Sequence, residues 1–451
     1  MLKRIRESVA PLYLFLCLIL GGSAQGIWAN ALLQLLGLAL IAWAAAEPRN
    51  EPLAPPARQL LLLAILAVAV VALQLIPLPP SLWTHLGGRT AFGSDYELLG
   101  LKAPALPISL SPYKSLDCLR SLIPALAIVC AIVRLKAYRP SWLAIALIAG
   151  TVAGVMLGAL QAGNTDAESS WYLYPETNIG VAVGFFANAN HMANLLVITL
   201  PFLAALLAAG RRAKFQHLTA LVAAVIGAGA VILVGIMLNR SIAAYGLALP
   251  VLCASALIVI PPRTRARPIL MITAALLLLG ALGAIAASST SPGPLGASTS
   301  VQSRAEMLRT TTRAIGDFMP LGSGLGSFSN VYDLYEDPSL VTDTYVVHAH
   351  NDYAELALET GVPGMIVLLL FLGWWVGAVG RVWRSGEAAP FARAASIASA
   401  AILAHSLVDF PLRTAAISAC FGMCLALVAD RRAPPPSDPS DLRPTRHFVF
   451  R

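Results

Sequence analysis

Twelve separate runs of mostly apolar residues fill this 451-residue chain, and ~20 such residues are what a helix needs to cross a bilayer. They lie near 9–26, 27–46, 59–80, 113–135, 140–161, 183–209, 216–238, 241–262, 268–288, 354–380, 391–410 and 413–430. In hydrocarbon every backbone polar group must be satisfied within the span, so runs of this kind are helices. Composition agrees: 57% of the residues are hydrophobic and only 12% charged, against ~25% charged in soluble domains. A soluble multidomain enzyme is all but excluded. The sequence predicts an all-α integral membrane protein of about 12 transmembrane helices over residues 1–432. The Pro- and Asp-rich stretch 433–451 reads as a disordered cytoplasmic tail.

The first run follows Lys3, Arg4 and Arg6, as a signal peptide would. A second run follows almost at once and Ser23-Ala24-Gln25 is a poor cleavage site, so the reading is an uncleaved first helix. Orientation comes from Lys and Arg. With the N-terminus in the cytoplasm, 22 of the 31 basic residues fall on the inner side. The acids split the other way, 7 inner and 16 outer. The net charge of +8 is thus a topology signal, and nucleic acid is not needed to explain it. None of the six cysteines has metal or redox spacing, and all lie in or beside apolar runs.

Two outer loops are long, about 81–112 and about 289–353, and loops beyond ~12–15 residues are usually functional or disordered. The second opens on a Ser/Thr/Gly/Pro segment from Ser288 to Ser300. It turns helix-like through Arg304–Phe318, breaks at Pro320-Leu321-Gly322-Ser323-Gly324-Leu325-Gly326, and ends at His348-Ala349-His350-Asn351. Asp352 followed by Glu355 before an apolar run reads as a helix cap, and Gly361, Pro363 and Gly364 predict a kink just beyond it.

Ionisable groups at a membrane face are costly and mark candidate sites. Arg240 lies in a short turn between two spans, Arg304 starts the helix-like part of the long loop with Arg309 and Arg313 behind it, and His350 stands where that loop enters a span. Guanidinium offers a planar fork suited to phosphate oxygens and stays charged. Histidine titrates near neutrality and can take a proton from an attacking hydroxyl. Together they suit displacement of a diphosphate from an activated carbon by an alcohol. No DxD motif supplies the usual ligands of a diphosphate-holding metal.

Each residue also has a plainer role. Arg240 alone is a common headgroup anchor, and Arg304, Arg309 and Arg313 fit a solvated helix face. His348 and His350, with Asp343 or Asp352, are two metal ligands in search of a third. The glycine stretch follows no strand and reads as a backbone turn. His405 and Asp409, four apart, fit an ion pair on one helix face.

At these residues the chain resembles the O-antigen ligase and O-antigen polymerase superfamily of bacterial membrane glycosyltransferases. His350-Asn351, nine residues, then Gly361-Val362-Pro363-Gly364 is similar to that family's pattern at the end of its large periplasmic loop. Pro320-Leu321-Gly322-Ser323-Gly324-Leu325-Gly326-Ser327-Phe328 is similar to its glycine stretch, with Arg304 ahead of it. Phe186-Ala187-Asn188-Ala189-Asn190-His191 with Asn194 resembles the segment that opens a middle helix, and Arg240 matches an arginine usually preceded by serine, here Asn239.

The resemblance implies a GT-C-like fold with the large periplasmic loop between spans nine and ten. It implies transfer of a glycan from undecaprenyl diphosphate to a hydroxyl, at the periplasmic face of the inner membrane, inverting and without metal or other cofactor. His350 would be the general base, and Arg240 and Arg304 would hold the diphosphate. Asn351, Arg309 and Asn190 would add substrate contacts. The acceptor would be lipid A-core (a ligase, the leading reading), another lipid-linked repeat (a polymerase) or a protein hydroxyl. The rival from another class is a lipid-linked glycan transporter, which calls for charge at mid-membrane on broken helices.

Overall fold

Proline marks where several of the apolar runs turn helical. It cannot donate a backbone hydrogen bond, and the first helical turn needs none; Pro55, Pro112, Pro140 and Pro390 each occupy that position. The computed structural model describes residues 2–24, 27–48, 52–166, 168–214, 216–261, 264–288, 298–338, 345–385 and 389–430. The tail at 433–451, Asp343 and most of the Ser288–Ser300 segment lie outside these.

The first half of the chain holds α1 (Leu2–Leu20), α2 (Trp28–Ala46), α3 (Pro55–Gln74), the short α4 (Pro80–Trp83) and α5 (Thr90–Leu98), α6 (Pro112–Ser121), α7 (Ile123–Val133) and α8 (Pro140–Ala162). The second holds α9 (Ala189–Arg212), α10 (Leu218–Asn239), α11 (Ile242–Val259), α12 (Ala266–Ser288), α13 (Ser298–Phe318), α14 (Phe328–Tyr335), α15 (Asp352–Arg384), α16 (Pro390–His405), a 3-10 turn at Pro411–Arg413 and α17 (Ala415–Ala429). The described strands, β1 (Pro77–Leu78) and β2 (Leu106–Pro107), pair antiparallel with Pro77 opposite Pro107.

Each of the twelve apolar runs contains helix. Among the described residues eight helical segments are long and apolar enough to cross a membrane: α2, α3, α6 with α7, α8, α9, α10, α11 and α15. The chain is a multi-pass, all-α membrane protein. Several boundaries differ from the sequence reading. The run at 9–26 is helical from Leu2 and stops at Leu20, where Gly21 and Gly22 press against other segments: the Gly21 carbonyl accepts from Ala416 N–H at 3.0 Å and that of Gly22 from Ala187 N–H at 3.1 Å. The run at 183–209 becomes helix only at Ala189, because Asn188 caps it. The run at 391–410 ends at His405. At 16 residues, α16 is ~24 Å long, short of a ~30 Å hydrocarbon core.

Burial identifies the centre of the bundle. The membrane window of α9 is 78% buried and that of α10 only 17%. Thus α9 is the post around which α8, α10, α11 and α16 stand, while leucines and isoleucines of α2, α3, α10 and α15 face outward, as lipid-facing residues do. The long loops meet at one end of this bundle. Arg89, only 1% exposed, donates to the carbonyls of Gly87 and Gly322, both at 2.9 Å, and to that of Ile108. Burial draws its pKa down to about 10, still cationic at neutral pH. It locks the 81–112 loop onto the glycine stretch.

Candidate active site

The site is assembled where a broken helix meets a glycine turn. Gly361 takes φ +57, ψ −151 and divides α15 in two. The carbonyls freed at the break are met by the turn: Ser323 N–H donates to Leu358 O at 2.9 Å, Gly324 N–H to Glu359 O at 2.8 Å, and Val362 N–H returns to Pro320 O at 2.8 Å. Gly322, Gly324 and Gly326 all have positive φ, and a Cβ on Gly322 would stand 2.6 Å from Glu359 O. Glycine is required because backbone packs directly on backbone. The expected kink and the expected turn are one structure.

Upstream of the break, His350 has left-handed backbone, φ +49, uncommon for any residue but glycine. Asn351 follows as the cap of α15. Its side-chain oxygen accepts from Tyr353 and Ala354 N–H, each at 3.0 Å, and its amide donates to Leu407 O at 3.0 Å. The sequence spacing put Asp352 in the cap; that is corrected by one residue, since Asn351 is the residue with extended backbone before the first turn. The Asn351 oxygen is committed to the helix start and its nitrogen to the segment after α16, which leaves little for the substrate contact expected of it.

Two carboxylates hold the two histidines. Glu355, 1% exposed, accepts from Ala349 N–H at 3.0 Å and lies 2.9 Å from His348 Nδ1. Asp409, also 1% exposed, places Oδ1 at 3.3 Å from His350 Nδ1, an ion-pair distance without an aligned hydrogen bond. The expected His405–Asp409 pair does not form. Because α16 ends at His405, Asp409 leaves the helix and turns to His350, while His405 Nδ1 meets Asn194 Nδ2 at 2.8 Å.

Burial raises the pKa of Asp409, but the imidazoles of His350, His191 and His405 more than reverse it and hold the carboxyl below the usual range. The ring of Phe410 is the hub: His348, His350 and His191 lie 4.2, 5.0 and 5.1 Å from its centre. His191, both its nitrogens, His405 Nε2 and Asp409 Oδ2 are buried without a hydrogen-bond partner among the described residues. Such groups are expensive in a fold and concentrate where function requires them.

The start of α9 ties the arginine turn to this hub. Asn190 and Asn194, four apart on one face, hold Ser241 (Oγ donating to Asn190 Oδ1 at 2.8 Å) and His405 respectively. Asn239 donates to Ala182 O and Ala189 O at 2.7 and 2.8 Å, so asparagine in place of serine binds the end of α10 to the start of α9. Arg240 then takes φ +59 and is exposed, with no side-chain partner among the described residues. Arg304 is half-buried on α13 and its charge acts on His405. Arg309 and Arg313 are exposed, and Arg309 lies 3.6 Å from Glu306. Those two belong to the solvated face of α13, and nothing brings Arg309 to the hub.

One strong feature went unread in the sequence. Arg413 inserts between α15 and α17 and faces three acids on one side of α15: Glu355 at 2.9 Å, Glu359 at 3.4 Å and Asp352 at 3.6 Å. Burial opposes its charge, and Glu355, Glu359 and Asp352 together more than restore it. The spacing 352, 355, 359 is a helical face and was visible; its partner, 54 residues beyond Glu359, was not. His191 enters the sequence reading only as the end of the asparagine segment, without a role. Among the described residues no three His, Cys, Asp or Glu groups are arranged to hold a metal.

Residues 219–369, about a third of the chain, match the family model described as O-antigen ligase. No curated protein matches the chain. The matched segment contains Arg240, Arg304, the glycine turn and His350, and ends before Asp409 and Arg413. Over that segment the chain is similar to the O-antigen ligase family.

Proposed function

We propose that the protein transfers a glycan from undecaprenyl diphosphate to an acceptor hydroxyl at the periplasmic face of the bacterial inner membrane, as an inverting, metal-independent ligase. The family match supports the coarser statement, O-antigen ligase- or polymerase-type glycan assembly; donor, acceptor, mechanism and sidedness are part of the proposal. The observation that carries it is His350, in left-handed backbone beside the buried carboxylate of Asp409, at the same end of the bundle as Arg240 and Arg304.

In this reading Asp409 orients the imidazole through Nδ1 and leaves Nε2 to take the acceptor proton. As the acceptor oxygen bonds to the anomeric carbon, the bond to the diphosphate oxygen breaks. Arg240 and Arg304 bind the charge that develops there. Attack from the face opposite the leaving group inverts the centre. A discontinuous α15 bearing Glu355 and Glu359 is the one feature a transporter would share. Both acids, however, are taken up by Arg413, His348 and backbone N–H groups.

Arg240→Lys keeps the charge and loses the fork. An exposed side chain of this kind contributes within about ±0.5 kcal/mol to folding, so the variant should reach the membrane at normal level and still transfer poorly. The check is the glycan profile of a deletion strain carrying the variant: unligated long chains are expected, and a wild-type profile would remove the clamp role.

A further inference from the structure

At the end of the bundle opposite His350, α9 and α15 finish and α12 and α16 begin. Arginines from three of these helices gather there. Arg393, near the start of α16, is 6% exposed, and its Nε is buried without a hydrogen-bond partner among the described residues. Its guanidinium lies 5.4 Å from the centre of the Trp383 ring on α15, and that of Arg267 on α12 lies 5.8 Å from the same ring. The charges of Arg267 and of Arg212, at the end of α9, both act on Arg393.

Cations brought together in a fold call for acids. Those described at this end, Glu7, Glu47 and Asp430, are taken by Arg139, Arg6 and Lys136, and among the described residues no ion pair reaches Arg212, Arg267 or Arg393. The indole face attracts both guanidiniums but gives their N–H groups no acceptor. Arg267 makes long contacts to the carbonyls of Leu257 and Ile260, at 3.4 and 3.5 Å. Ala389 gives α16 no side-chain cap, so the open N–H groups of its first turn add to the positive field. A buried cation without a counterion is costly, and a basic cluster between helix ends at a membrane surface suits an anionic headgroup.

Within the next turn and a half of α12, Ile269 and Ile272 are 65% and 61% exposed, an apolar wall along which acyl chains can lie. We infer that this cluster holds the phosphodiester of an anionic phospholipid, with Arg267 and Arg393 donating to its oxygens and the acyl chains against α12. The apolar wall favours a lipid over a free phosphate. The site lies at the far end of the bundle from the proposed chemistry and does not rest on it.

The test is native mass spectrometry of the delipidated full-length protein, titrated with dioleoyl phosphatidylglycerol and, separately, with dioleoyl phosphatidylcholine. One phosphatidylglycerol should bind about 30-fold tighter than phosphatidylcholine, the scale of two arginines at an anionic surface. Arg267→Gln should lower that preference about five-fold, and Arg393→Gln at least as far. Arg393 is buried, so Arg267→Gln, at the start of α12, carries the test if the other variant does not fold. Arg265→Gln, exposed on the same segment, should bind within about two-fold of wild type, and His350→Asn should bind as wild type does. Equal binding of the two lipids, or an unchanged preference in Arg267→Gln, would overturn the assignment. So would displacement of the lipid by millimolar glycerol phosphate, which marks a site for a soluble anion.

Discussion

His350→Ala is expected to lower glycan transfer by about 10²–10⁴-fold, the usual contribution of a general base, with the protein at normal level in the membrane. The side chain is 26% exposed and, among the described residues, meets Asp409 and the edge of the Phe410 ring, so its removal opens no large cavity. Alanine is strained in left-handed backbone, whereas asparagine is tolerated there. His350→Asn is thus the better-folded control and should be equally inactive. Asp409→Asn should lose activity as well, to a smaller degree, since it orients the imidazole and does not meet substrate. Immunoblots of membranes beside glycan profiles decide the matter. Wild-type product from His350→Asn would end the proposal, and disappearance of the protein would make His350 a structural residue.

Arg413→Met is expected to destabilise the fold by about 3–5 kcal/mol, the range for a buried charge cluster that loses one partner. The guanidinium is 18% exposed and faces Glu355, Glu359 and Asp352 at 2.9–3.6 Å. Without it, three acids share a poorly solvated pocket. Glu355 would then have only His348 and Ala349 N–H to hold, and the turn carrying His350 would loosen with it. Thermal unfolding in detergent measures the first effect. Adding Glu355→Gln and Glu359→Gln to Arg413→Met should recover part of the loss; if single and triple variants unfold at the same temperature, the cluster is not what fixes α15.

The membrane fold was legible because hydrocarbon imposes one requirement at every point along a span, and a run of apolar residues displays it locally. Its boundaries were less so. Asn188 and Asn351 set helix starts through side-chain bonds to the backbone, and the end of α1 depends on Gly21 meeting Ala416, nearly 400 residues away. Within the site, backbone features announced by an unusual local pattern were foreseen: the glycine turn and the kink at Gly361. Residues defined only by what they face were missed or misassigned. Asp409 seemed to belong to His405 by spacing, until the helix ended between them. Arg413 has no local pattern to announce it, and only the fold brings it to the acidic face of α15.

His350 and Arg240 share an unusual trait: of the four described non-glycine residues with positive φ, they are two. Such backbone costs of order 1–3 kcal/mol, and glycine or asparagine would relieve it. Random libraries screened only for heat tolerance should therefore accumulate Gly or Asn at positions 350 and 240, and lineages released from the need to build polysaccharide should drift the same way. Under the proposed function, a histidine and an arginine at those two turns trade backbone ease for chemistry.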